Sequence, residues 1–200
     1  MLYAGVLALF ALLSLAACSA VDLPNTYQVG RVQVGYPNNF SPSKDEPSEG
    51  LEKTSNGATY QLIDGRLQCS DVETAVIVVR EYTDASFDEA LDRAKSLTTV
   101  APLDQETLDA FNAKWSSAVD QGSQMEYCEP KMVTVNGAEG FVQEASAEAE
   151  GSNPAVRLAA QYVRIDDESF AKLSFLGSEE DYKAHEAEIN AIFASLTIAE

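Results

Sequence analysis

The residues that could perform catalysis or bind a metal are few, and they lie far apart in the sequence. The chain has three cysteines, Cys18, Cys69 and Cys128, and one histidine, His185. A nucleophilic thiol needs a base within hydrogen-bond reach, so cysteine catalysis would require Cys69 or Cys128 to fold beside His185. Two cysteines and one distant histidine lack the compact spacing of a zinc site, so no metal site is predicted. His185 is interpreted as a boundary side chain of a helix, with a pH-sensitive group or general base as the alternative.

Acidic side chains are abundant, with 32 Asp and Glu against 13 Lys and Arg. The densest groups, residues 166–168 and 179–181, lack the alternating acids and central glycine of a calcium loop. The first group is predicted to form a hairpin turn. The second is predicted in the first turn of a helix, where carboxylates favour the helix dipole. No glycosidase-like pair, Gly-x-Ser-x-Gly motif or phosphate-binding glycine loop can be named, so neither a catalytic residue nor a cofactor is predicted.

The first 17 residues have no charged side chain, and Cys18 follows directly after Leu15-Ala16-Ala17. Their apolar core, residues 6–13, has the length of a signal-peptide core and is shorter than the roughly 20 residues of a membrane span. This ending resembles that of bacterial lipoproteins. The resemblance implies a signal peptide over 1–17, acyl chains such as palmitate on Cys18, a tether over 18–26 and one domain over 27–200. An uncleaved anchor and an ordinary secretory signal are the alternatives, and all three place the domain outside the cytoplasm.

The residue after Cys18 is Ser19. Because Asp at this position tends to retain Gram-negative lipoproteins in the inner membrane, the same resemblance favours the outer membrane. With Cys18 acylated, Cys69 and Cys128 remain in an oxidising compartment, which favours a disulfide between them; two free thiols are the alternative. The bridge would close a loop of about 60 residues and stabilise the fold by roughly 4 kcal/mol.

The net charge of −19 restricts the class of partner. Such a charge repels nucleic acid and does not favour binding to anionic lipid. The expected partners are therefore the membrane, through the lipid on Cys18, and another protein of the cell envelope. A basic partner or divalent cations would also suit this surface.

The hydrophobic pattern predicts strands first, then helices, then strands and a final helix. In the run Ala75–Val79 every residue is apolar, which predicts a strand covered on both faces. Ser86 and Glu89 form a capping box that opens a helix, a second helix is predicted over 104–122, and a third begins after the cap Ser178. The predicted fold class is α+β, an antiparallel β-sheet with helices packed on both faces.

Four segments resemble the PsbP-like and DcrB-like α/β/α sandwich family: residues 36–40, 86–91, 135–140 and 189–196. The family has no shared catalytic residues, and many of its members are binding or assembly factors. The resemblance therefore implies a non-enzymatic, membrane-anchored binding or assembly role in the cell envelope. A secreted hydrolase with an unrecognised carboxylate site is one alternative, and a module that binds a small ligand or a cation is another.

Overall fold

The computed structural model describes residues 21–44, 47–53, 59–72, 75–97, 101–102, 124–147 and 155–199. The signal segment, Cys18 and the helix predicted over 104–122 lie outside these residues. Within the described part of the chain, no helix is long and apolar enough to cross a membrane.

Thirteen strands and three helices are assigned within these ranges. The strands are β1 (Asn25–Val29), β2 (Val32–Tyr36), β3 (Phe40–Pro42), β4 (Ser48–Lys53), β5 (Thr59–Cys69), β6 (Val76–Thr83), β7 (Ala101–Pro102), β8 (Gln124–Tyr127), β9 (Lys131–Val135), β10 (Ala138–Ala147), β11 (Val156–Asp166), β12 (Ser169–Ser178) and β13 (Thr197–Ile198). The helices are α1 (Phe87–Ser96), α2 (Glu179–Ala184) and α3 (Glu186–Ala194).

A ten-stranded antiparallel sheet forms the centre of the domain. Its strand order is β3-β5-β6-β12-β11-β10-β8-β7, with β4 also paired to β5 and β9 to β10. The predicted hairpin is confirmed as β11–β12. Asn136 and Gly137 form the turn between β9 and β10, and both residues have positive φ, 48° and 89°. An Asn-Gly pair tolerates this backbone, which matches the twist of the strands.

One face of the sheet, called here the first face, is covered by a small second sheet and by the two C-terminal helices. The small sheet has the order β1-β2-β13. Val29, Val32, Ile189 and Ile192 from these elements are fully buried in one large apolar cluster with the central strands. Gly65 of β5 allows the two sheets to approach, because a Cβ there would lie 2.5 Å from Val29 Cγ2 and from the Tyr27 hydroxyl.

The opposite, second face carries two smaller apolar clusters. One contains Phe87, Ala90 and Ala94 of α1 together with aromatic residues of the sheet. The other is formed around Met125 and Tyr127 of β8. The cover predicted for both faces of Ala75–Val79 is present on the first face, where Ala75, Ile77 and Val79 are fully buried, whereas on the second face Val76 and Val78 are half-buried.

A buried glutamine connects each face to a helix end. On the first face, Gln161 Nε2 donates to the Phe193 carbonyl at 2.8 Å. On the second face, Gln143 Nε2 donates to the Ala94 carbonyl at 2.8 Å. These carbonyls lie in the last turns of α3 and α1, where each also accepts a longer backbone hydrogen bond, from Leu196 at 3.4 Å and from Leu97 at 3.3 Å, so each glutamine adds a second, shorter bond that stabilises a helix C-terminus.

The antiparallel sheet is confirmed, but strand predominates over helix more than predicted. The described helices are short, and the predicted C-terminal helix is divided at His185, whose φ of −120° and ψ of 17° separate α2 from α3. On the first face the small sheet supplies much of the cover. Complete helical layers on both faces therefore stay a prediction.

Candidate functional site

The structure brings Cys69 and His185 together, although they are 116 residues apart. Cys69 ends β5, and its Sγ lies 3.8 Å from Nε2 of His185, which stands between α2 and α3. The thiol is 2% exposed and the histidine 9%, and the Phe40 ring meets the imidazole edge-on. A nucleophile has to be reachable by its substrate, so this geometry fits a core contact. His185 is therefore buried, and the interpretation of it as a boundary side chain is corrected.

The predicted Cys69–Cys128 disulfide is absent, and both thiols are free. Cys128 directly follows β8, where its backbone N–H donates to the Glu144 carbonyl of β10. Five strand spacings separate β5 from β8 in the sheet, or about 24 Å. A disulfide needs Cα atoms within about 7 Å of each other. With Cys18 set aside, two cysteines remained that could pair, but the number of cysteines contains no information on strand order.

The two acidic groups take the local roles predicted for them. Asp166 and Asp167 lie at the β11–β12 turn. In the first turn of α2, the Asp181 backbone N–H donates to the Ser178 hydroxyl at 3.0 Å, which confirms the cap. No group of three or more His, Cys, Asp or Glu side chains able to hold a metal ion occurs within the described ranges.

Arg31 joins the turn of the β1–β2 hairpin to the main sheet. Its backbone N–H and its Nε donate to the two carboxylate oxygens of Glu81, at 2.7 and 2.6 Å. The remaining guanidinium nitrogens reach Asp166 and Ser169, both at 2.7 Å. The Glu81 side chain is 4% exposed, so Arg31 neutralises a buried carboxylate. Hydrogen bonds from Ser169, Arg31 and the Glu168 backbone lower the pKa of Asp166 to about 2.

A row of polar side chains crosses the second face. Asp64, Arg80, Lys172 and Tyr162 are direct cross-strand partners on β5, β6, β12 and β11. Side chains in this register are nearest neighbours, with Cβ atoms about 5 Å apart. The strands are separated in sequence by up to about 100 residues, so this row is a product of the sheet order. The one sign of this row in the sequence is Lys172, a charged residue in a strand of mostly apolar residues.

The charge of Arg80 in this row is matched. Its Nε donates to Asp64 Oδ1 at 2.8 Å, and Glu52 lies 4.0 Å away. Burial opposes the guanidinium charge, but Tyr82, Asp64 and Glu52 raise the pKa of Arg80 above its ordinary value. Tyr82 donates to Glu52 Oε2 at 2.6 Å, and burial raises the pKa of Tyr82 to about 12.

Lys172 has no carboxylate within ion-pair distance among the described residues; burial opposes its charge, but Tyr162, Tyr82 and Glu52 raise the pKa of its ammonium. The ammonium is 5.6 Å from the centre of the Tyr162 ring. Arg80, directly opposite on β6, has the same charge, and like charges in this register are destabilising.

Lys172 lies beside four half-buried residues on the same face, Val78, Leu158, Tyr162 and Leu176. These five residues, called here the Lys172 patch, are the candidate site, and three of them already pack against apolar clusters: Tyr162 against that of α1, and Leu158 and Leu176 against that around Met125.

No family model matches the chain, and no curated protein matches its sequence. Solved structures do resemble it. Cyanobacterial PsbP (CyanoP) from Synechocystis sp. PCC 6803 matches over 92% of this chain and 98% of its own, with 11% identity and a TM-score of 0.51. LpqN of Mycobacterium tuberculosis, described as involved in cell envelope biogenesis, matches over 84% and 83% respectively, with 12% identity and a TM-score of 0.43.

The likeness to CyanoP shows that the chain has a PsbP-like fold, as the resemblance in the sequence implied. At 11% identity the comparison establishes the fold and does not assign a function.

Proposed function

We propose that this protein is a membrane-anchored lipoprotein of the cell envelope whose extracytoplasmic domain binds or helps to assemble another envelope component without catalysing a reaction. Acylation of Cys18 would attach the domain to the membrane, with the outer membrane favoured in a Gram-negative cell. The proposal also includes helices packed on both faces of the sheet, one of them over residues 104–122. The PsbP-like fold supports it, because binding and assembly roles are frequent in the family that the sequence resembles.

The observation that carries this proposal is the position at which the folded domain begins. Leu23 packs against the core of the first face, and a Cβ on Gly35 would lie 3.2 Å from its side chain. Only five peptide steps separate Leu23 from Cys18, and they span at most about 18 Å. A lipid on Cys18 would therefore hold the domain directly at the bilayer surface, where it can meet other envelope components.

Two exposed apolar side chains indicate where a partner could contact the domain. Leu51 on β4 is 70% exposed and Met132 on β9 is 53% exposed. The two strands lie at opposite edges of the main sheet. Edge strands present unpaired backbone groups and are frequent sites of protein contact.

Intact mass spectrometry of the protein extracted from membranes tests the anchor. We expect the mature chain to begin at Cys18 and to carry the mass of its acyl chains, and Cys18→Ser to leave the membrane fraction. An unacylated Cys18 in the mature protein would refute the anchor.

Photo-crosslinking in living cells tests the partner. A photoreactive residue at Leu51 or Met132 of the full chain is expected to cross-link to an envelope protein, and Cys18→Ser is expected to weaken the cross-link. Lys95 and Lys183, exposed on α1 and α2, are the control positions. The absence of a specific product from both edges would contradict the assembly role.

A further inference from the structure

We propose that strand β4, at one edge of the main sheet, pairs antiparallel with β4 of a second copy of this chain, with Leu51 opposite Leu51 of the second copy. The two main sheets would then join into one continuous sheet across a two-fold axis. This contact goes beyond the role proposed above, because it assigns the β4 edge to a second copy and leaves the β9 edge, with Met132, to the other envelope component.

Strand β4 is paired on one side only. Its register with β5 runs from Ser48 opposite Asp64 to Lys53 opposite Thr59, and no other strand of the described residues pairs with it. Residues 48–51 are all exposed. The outward N–H and C=O groups of this six-residue strand are therefore open to the addition of another strand.

The position of the two-fold axis follows from Leu51. Its side chain is 70% exposed although it belongs to a sheet. Its partner Gln61 on β5 shares the first face with Ile63 and Leu67, which pack in the core of that face. With the axis at Leu51, the two exposed leucines become directly opposed, with Cβ atoms about 5 Å apart. Each leucine then removes apolar surface of the other from water.

The same register pairs opposite charges. It sets Glu49 opposite Lys53 of the second copy, and the two-fold symmetry repeats this pair on the other side of the axis. Opposite charges facing each other across two strands stabilise the pairing, and like charges destabilise it. With the axis between Gly50 and Leu51 instead, Glu49 would face Glu52. Charge and the exposed leucine therefore select one register.

The other face of β4 accommodates this register. There Glu52 lies opposite Gly50 of the second copy. Glu52 already accepts the Tyr82 hydroxyl at 2.6 Å, and glycine has no side chain that would compete for this carboxylate. Among the described residues, only Leu62 comes within 4 Å of a Cβ built on Gly50, so there is space beside it.

The geometry of the pair suits two chains on one membrane. Opposed residues of a continuous sheet lie on the same side of it, so the first faces of both copies would lie on one side. Leu23, where the folded domain begins, packs on that face. Lipids on both Cys18 residues could then enter the same bilayer, a step that rests on the anchor proposed above.

The expected strength of the contact is low in solution. One strand pair buries less surface than the roughly 1,200 Å² of a stable interface, and a net charge of −19 on each copy opposes association. Attachment to a shared membrane would raise the effective concentration and favour the pair.

Disulfide formation on the axis tests the contact. Leu51→Cys is introduced into the full chain together with Cys128→Ser, and the protein is mildly oxidised in membranes and after purification. We expect a disulfide-linked dimer, because directly opposed Cα atoms lie within the about 7 Å that a disulfide needs. Analysis on non-reducing gels measures the yield.

Two control positions accompany this variant. Glu49→Cys lies on the same face of the same strand, but the two thiols would be four residues apart along the strands, or about 14 Å. Met132→Cys is an exposed position on the other edge. Position 51 should yield at least tenfold more dimer than either control.

Charge reversal tests the register. Glu49→Lys alone and Lys53→Glu alone each set like charges opposite each other, and each should lower the dimer yield at position 51 at least fivefold. The two substitutions in one chain should restore the yield, because the opposite charges are restored. A mixture of the two single variants should form the mixed dimer.

Two results would overturn the proposal: a dimer yield at position 51 no higher than that at position 49, or equal yields in the single and double charge variants. If Leu51→Cys does not fold, a photoreactive residue at position 51 decides: a product with the mass of two copies supports self-pairing, and a product with another protein alone contradicts it. Acylation of Cys18 is measured separately by mass, so a failure of the anchor is distinguishable from a failure of self-pairing.

Discussion

Consecutive residues of β6 point to opposite faces of the central sheet, and the two faces bury them differently. Val79 points to the first face and is 0% exposed. Val78 points to the second face and is half-buried. The first face is covered by β1, β2, β13 and the C-terminal helices in one continuous cluster. The described part of the second face has two separate clusters with polar side chains between them. The first face is thus one continuous apolar core, whereas in the described residues of the second face polar side chains separate the apolar clusters.

The same contrast holds for charge. On the first face, buried Glu81 receives two hydrogen bonds from Arg31. On the second face, half-buried Lys172 faces the Tyr162 ring and lies opposite Arg80, and no carboxylate of the described residues forms an ion pair with it. A buried charge without a partner is costly, so the Arg31–Glu81 pair serves the fold, whereas the charge of Lys172 is balanced less directly. Four measurements test this division, and they are ordered from the largest expected effect to the smallest.

Arg31→Met should cause the largest loss of stability, about 3 kcal/mol, because it leaves the Glu81 carboxylate buried without its partner. The free energy of unfolding in urea measures this. Arg164→Met is the control, since its partners Asp88 and Glu139 are 71% and 53% exposed, and such pairs contribute less than about 1 kcal/mol. Equal losses in the two variants would refute the assignment of Arg31 as a structural clamp.

Val79→Thr and Val78→Thr compare the two faces within a single strand. Threonine preserves the branched shape, so the main change is a hydroxyl group. At position 79 this group would be buried in an apolar cluster, with an expected loss of about 2 kcal/mol. At position 78 we expect less than about 1 kcal/mol, because the half-buried side chain leaves the hydroxyl closer to solvent. Thermal and urea unfolding of both variants provide the measurement, and losses of similar size would mean that the second face is as well sealed as the first.

Acid should weaken the clamp in a defined pH window. The pKa of Asp166 is lowered to about 2 in the folded chain, against about 3.9 in the unfolded chain. Its stabilising contribution is therefore fully present above pH 4 and is lost as the pH falls towards 2. Asp166→Asn should flatten the fall in unfolding free energy over this window and cost less than about 1 kcal/mol at pH 7, because the side chain is half-exposed. An unchanged slope in Asp166→Asn would contradict this role.

Thiol labelling without reductant distinguishes the two cysteines by their exposure. The matching variant is expected to change the stability very little. Exposed Cys128 should react in the folded protein, and Cys69, which is 2% exposed, should react only after denaturation. Cys128→Ser should change the stability by less than about 0.5 kcal/mol. If neither thiol reacts in denaturant, the two cysteines are bonded, and the strand order placing them far apart is incorrect.

Features specified by neighbouring residues were predictable from the sequence. The Ser86 cap accepts the Glu89 backbone N–H, the Ser178 cap accepts that of Asp181, and Asn136-Gly137 forms the β9–β10 turn. Each depends on a hydrogen bond or a backbone preference within four residues, so the local sequence contains the necessary information. The antiparallel hairpin and the resemblance to the PsbP-like fold were recognised from local signals of this kind, taken in their order along the chain.

The candidate site was not predictable, because it depends on which distant strands become neighbours. The sequence by itself determined the net charge, the local caps and turns, the hairpin and the apolar run that ends at Cys18. Tertiary structure alone placed β6 beside β12, which sets Arg80 opposite Lys172. The same strand order separates Cys69 from Cys128, and the packing of the C-terminal helices on the first face places His185 next to Cys69. Side-chain types and short-range periodicity do not specify strand order. The order depends on which pairing of all the strands buries their apolar faces best.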